Sequence, residues 1–75
     1  MNELVFTVEQ EDDGGYVASA EVAPNEHITT QGDTLEELRL MILDAIECHF
    51  FDEPSRKPQT ARLHFVKDEI LPLAG

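Results

Sequence analysis

Basic residues are scarce in this sequence: five Lys plus Arg stand against sixteen Asp plus Glu, a formal net charge of -11. A phosphate backbone is held by a basic patch, so this balance argues against direct binding of DNA or RNA. Cysteine is scarcer still. Cys48 has no second thiol to pair with, which excludes an intramolecular disulfide and points to a reducing, cytoplasmic setting. Long apolar runs are missing too. The longest is Leu40 to Leu43, against the roughly 20 residues that cross a bilayer, so no membrane partner is expected. The opening MNELVFTVEQ has neither the basic start nor the apolar stretch of a signal peptide. There is no internal repeat and no low-complexity stretch. At 75 residues the chain has room for one small domain, spanning 1–75, and not for a two-domain enzyme.

What is present is enough for a core. Hydrophobic residues make up 41% and include four Phe. A domain this small has a thin margin of stability, and without disulfides the expected support is oligomerisation.

Leu4, Phe6 and Val8 alternate with Val5, Thr7 and Glu9, the period of a strand. Asp12-Asp13-Gly14-Gly15 supplies a tight turn, and Tyr16 to Val22 then reads as a second strand pairing antiparallel with the first. Its face of Tyr16, Ala18, Ala20 and Val22 is apolar, and the two alanines leave room for a helix above. Pro24-Asn25 breaks the strand, and His27 to Gln31 reads as a short third strand that Gly32 ends. Thr34 and Glu37 form a capping box, with Glu36 and Glu37 at the positive end of the helix dipole. The helix is expected from Leu35 to His49 or Phe50. Its apolar arc, from Leu35 through Leu38, Met41, Ile42, Ala45 and Ile46, is wider than one sheet needs. Met41, Cys48, Phe50, Phe51 and the C-terminal Leu71 are therefore expected at an oligomer interface. Asp52 to Thr60 reads as a loop, and Ala61 to Lys67 as a fourth strand. The expected class is α+β, an antiparallel sheet with one helix on one face, in the order β-β-β-α-β.

Chemistry-bearing residues are thinly patterned. Cys48, His49 and Asp52, with His64 or His27, invite a metal reading, but neighbouring helix side chains diverge by about 100° and there is neither a CxxC pair nor an HExxH motif. A Cys48–His49 nucleophile pair needs an electropositive setting, and this one is acidic. Gly14-Gly15 opens no helix and precedes no Lys-Ser/Thr, so it is a turn and not a phosphate loop. No metal, cofactor or catalytic residue is assigned, and a non-catalytic chain is expected. The alternative is a metal-dependent hydrolase or nuclease built on carboxylates with His64 or His49.

The hairpin Gly-Gly-Tyr-Val-Ala at 14–18, the stretch Thr-Gln-Gly-Asp-Thr at 30–34 leading into Leu-Glu-Glu-Leu, and the later DAIECHF and RLHFVKDEIL together resemble the HicB-like antitoxin family. The resemblance runs from about Phe6 to Leu71 and is that of a short, stand-alone member. It implies a partial RNase H-like fold, homo-oligomers, and neutralisation of a small basic HicA-type mRNA-cleaving toxin by covering its active site. Longer members add a C-terminal DNA-binding domain, which is not expected here. The family's Pro-Asp-Leu-Pro-Gly-like loop is replaced by Glu21-Val22-Ala23-Pro24-Asn25-Glu26-His27. Candidate contacts to a basic partner are Glu9, Glu11, Asp12 and Asp13 around the hairpin, with Glu21 and Glu26. The remaining alternative is a stand-alone oligomeric protein.

Overall fold

The computed structural model describes residues 2–74. Strands β1 (Glu3–Gln10), β2 (Tyr16–Ala23) and β3 (Glu26–Gly32) precede helix α1 (Leu35–His49), a 3-10 turn (Pro54–Arg56) and strand β4 (Thr60–Val66). The sheet order is β3-β2-β1-β4. The class and element order are those expected, and α1 lies on one face of the sheet.

One pairing differs from the all-antiparallel expectation. β2 pairs antiparallel with both β1 and β3, while β4 runs parallel to β1, with Leu4 opposite Ala61 and Phe6 opposite Leu63. The cause is the helix. Fifteen residues of α-helix span about 22 Å, close to the ~23 Å of a seven-residue strand. α1 therefore carries the chain back along the whole sheet, and β4 must start where β3 and β1 start. Its first residues are fixed there, because the amides of Gln59 and Thr60 both donate to the Asn2 carbonyl, each at 3.1 Å.

Two turns set the register. The Gly14 amide donates to the Glu11 carbonyl at 3.0 Å, and Gly14 takes a φ of 95°, which a side chain would oppose. The Gly15 amide donates to Asp13 Oδ1 at 3.0 Å, so the turn is braced by an acidic side chain. Between β2 and β3 the two-residue turn Pro24-Asn25 puts Asn25 at a φ of 63°, the left-handed region that Asn tolerates.

The core is the alternate face of three strands against one helix stripe: Leu4, Phe6 and Val8; Ala18, Ala20 and Val22; Ile28; and Leu38, Ile42, Ile46 and Phe50. Small residues at Ala18, Ala20 and Gly32 let α1 lie close over β2 and β3. A Cβ at Gly32 would fall 2.6 Å from the Leu38 amide nitrogen and 2.8 Å from its Cα. Thr34 Oγ1 accepts from the Glu37 amide at 3.0 Å, as the capping reading requires. Among the described residues the reciprocal bond, from the Thr34 amide to the Glu37 carboxylate, is not formed. Phe50 is 2% exposed and belongs to this core. Its expected place at an oligomer interface is therefore corrected: its amide still makes the helical bond to the Ile46 carbonyl, and Arg56 of the following 3-10 turn lies over the ring. Phe51, one residue on, is 81% exposed.

Candidate functional site

The hairpin and the turns divide the ionisable residues between two ends of the molecule. At one end lie the β1–β2 hairpin, the start of α1 and the end of β4. Glu11, Asp12, Asp13 and Asp33 border an open concavity of about 350 Å³ floored by Gly15 and Gly32. A second concavity beside it is bordered by Glu9, Asp12, Lys67 and Asp68. Six carboxylates thus meet at this end with one lysine among them. Among the described residues none of the six takes part in an ion pair.

The opposite end is internally compensated. Glu26, just after the β2–β3 turn, accepts from Arg56 Nη2 at 3.0 and 3.2 Å and lies 2.6 Å from His49 Nε2. These contacts tie together a sheet turn, the helix C-terminus and the 3-10 turn. Hydrogen bonds from Arg56, then from His49, hold the Glu26 carboxyl below the ordinary carboxylate range. The Arg56 guanidinium also sits 5.8 Å from the centre of the Phe50 ring, within cation–π range. Nearby, Arg62 Nε and Nη2 reach the two oxygens of Glu3 at 2.9 and 3.1 Å, and this fork lowers the Glu3 pKa. Lys57 pairs with Glu47.

The expected contact residues therefore separate. Glu9, Glu11, Asp12 and Asp13 come together at the hairpin end. Glu21 lies on the uncovered sheet face, 3.9 Å from His27. Glu26 is at the far end and is committed to Arg56 and His49, so it is not free to receive a partner cation in the way the hairpin acids are. Asp33, within the Thr-Gln-Gly-Asp-Thr stretch and not among the expected contacts, joins the hairpin acids because β3 ends beside the start of β2, with Gly32 opposite Tyr16. Arg56 was read as a loop residue. The signal for its role was the crowding of basic residues after Asp52.

Of the expected interface residues, Met41, Cys48 and Phe51 are exposed on or just beyond α1, and Cys48 and Phe51 border a shallow hollow with Glu47 and Asp52. Leu71 lies in the exposed C-terminal segment. His49 faces Glu26 and not a metal-ligand set, and among the described residues no three His, Cys, Asp or Glu side chains are grouped to hold a metal ion. Among them, too, no helix is long and apolar enough to cross a membrane.

Over 66 residues the chain is 50% identical to a UPF0150 protein of Thermotoga maritima, covering 88% of this chain and 86% of that one. The chain belongs to the UPF0150 family. A second UPF0150 protein, from Archaeoglobus fulgidus, is 45% identical over 56 residues, 75% of this chain and 76% of the other. No family model and no solved structure matches the chain.

Proposed function

We propose that this UPF0150 protein is a non-catalytic binding module that docks a small basic protein through its hairpin end. The reading that suits it best is a HicB-type antitoxin whose acidic end covers the cationic, RNA-contacting surface of a HicA-type toxin. The observation that carries it is the asymmetry of compensation. Carboxylates at Glu9, Glu11, Asp12, Asp13 and Asp33 are massed on one end without ion-pair partners among the described residues, while those at Glu3, Glu26 and Glu47 are paired within the chain. Massed like charges repel one another and cost stability in the free protein. A cationic partner relieves that repulsion and is steered toward it. The experiment is co-purification with a small basic protein encoded beside this chain, at low and at high salt. Retention at low salt and release at high salt supports the proposal. Failure to associate at any salt refutes it.

A further inference from the structure

The two edges of the sheet are finished differently. β4 forms one edge and carries Arg62 and His64, with Lys67 just beyond it. Charged side chains, lysine above all, guard an exposed edge against a further strand. β3 forms the other edge. Its first residue, Glu26, is held by Arg56 and His49. From Ile28 to Gly32 the strand has no charge and no proline, and Ile28, Thr29 and Thr30 are β-branched residues that suit extended pairing. Alternate residues of an antiparallel edge strand turn both N–H and C=O away from their neighbour. Among the described residues, β2 is the one element whose backbone pairs with β3.

The helix lies over this same edge. α1 approaches β3 and β2, and no Cα of it lies within 8 Å of a Cα of β1 or β4. At about 100° per residue, the buried stripe of Leu38, Ile42 and Ile46 separates two flanks. Leu43 faces the start of β4, where it borders a hollow with Thr60 and Ala61. Glu37, Met41, Ala45 and Cys48 fall on the opposite flank, the β3 side, and Met41 and Cys48 are exposed there. This accounts for an apolar arc wider than the sheet needs: its surplus stands above an open edge. The slot so formed has unpaired backbone as one wall and Met41 and Ala45 above. Its hairpin end leads into the acidic concavity, where Gln31, Gly32 and Asp33 line the same hollow as Glu11, Asp12 and Asp13.

We propose that an extended segment of a basic protein adds to β3 as a further strand, beneath the Met41–Cys48 flank, with its cationic side chains among Asp13, Asp33 and Glu37. This inference rests on the proposed function for the charge of the partner, and adds the manner of docking: main-chain pairing at one edge supplies affinity, and alternate side chains supply selection. Charge selects the occupant. Asp13, Asp33 and Glu37 have no ion pair among the described residues, and no Lys, Arg or His lines the hollow beside them. A second copy paired antiparallel about Thr29 would instead bring the Asp33 end of each β3 beside the Glu26 end of the other, acid against acid.

The test uses the full chain and two synthetic probes. One is a short peptide of alternating lysine and valine. The other is the same peptide N-methylated at every residue, which keeps its charge and side chains but donates no backbone hydrogen bond. Titration calorimetry reads affinity, and amide hydrogen exchange reads the place. The unmethylated peptide is expected to bind at least ~10-fold more tightly, since several backbone bonds separate the two. It should slow exchange of alternate amides within Glu26–Gly32 and leave Thr60–Val66 unchanged. Equal affinity for the two peptides, or binding by neither, overturns the proposal. Protection confined to the β1–β2 turn overturns it as well and leaves the hairpin reading standing. Outward β3 amides that exchange slowly in the free chain and do not respond to the peptide show an edge closed by another occupant, a second copy included, and also overturn it. Failure of the chain to co-purify with a small basic protein encoded beside it refutes the toxin reading separately, while pairing of β3 with the lysine peptide would still stand.

Discussion

The two ends of this small sheet treat the same residue type in opposite ways. At the turn between β2 and β3, Glu26 is shared by Arg56 and His49, and Glu3 is clasped by Arg62 nearby. At the β1–β2 hairpin, Glu9, Glu11, Asp12 and Asp13 face water without ion pairs among the described residues, and Asp33 joins them from the end of β3. With five basic residues for sixteen acids, compensation is limited, and most of it is spent where the helix C-terminus, a sheet turn and the 3-10 turn must be held together. One end is arranged for cohesion. The other bears repulsion that an external cation would relieve.

The comparison can be broken first at the cohesive end. Phe50 lies beneath Arg56 and beside His49, with its ring 4.9 Å from the imidazole. Phe50→Ala should cost about 3–5 kcal/mol, the usual range for a buried phenylalanine. Phe51→Ala, at the exposed neighbouring position, should stay within about 0.5 kcal/mol of wild type. Urea unfolding of the two variants checks the pair. At the hairpin end the equivalent structural contact is the helix cap. Thr34→Ala removes the acceptor for the Glu37 amide and should cost about 1 kcal/mol, read from the same unfolding curves.

A third prediction uses acid. Glu26 and Glu3 have folded pKa values below their ordinary 4.5. Each then contributes stability that is complete above the unfolded-state pKa and is lost as pH falls through the folded one. Melting temperatures should therefore drop on acidification below about pH 4.5. The double variant Glu26→Gln with Glu3→Gln should show a shallower acid limb and a lower melting temperature at neutral pH. The smallest expected effect lies at the hairpin. Glu11→Gln with Asp12→Asn should leave stability unchanged or raise it by a few tenths of a kcal/mol at low salt, because it removes repulsion and no contact. A clear loss of stability would mean these acids are structural.

Much of the fold is legible in the sequence. Period-two alternation marks β1, β2 and β4, and Thr34 marks the start of α1. The pairing direction of β4 was missed because strand periodicity carries no information about direction. It follows only when the helix length is set against the strand length. Phe50 was misplaced because the helical wheel puts it on the flank of the apolar arc, and the wheel does not show that Arg56 of the following 3-10 turn lies over that flank. The hairpin acids are contiguous in sequence and could be found there. Asp33 and the Glu26–His49–Arg56 cluster depend on residues brought together from distant elements, which the local pattern does not record.

We propose that the hairpin end receives a cationic protein. The test is isothermal titration of a small basic protein encoded beside this chain against wild type, a hairpin variant (Glu9→Gln, Glu11→Gln, Asp12→Asn) and the far-end variant Glu21→Gln. The expected result is weaker binding for the hairpin variant and for wild type at high salt, with Glu21→Gln near wild type. Equal affinity for all three proteins, independent of salt, would contradict the claim.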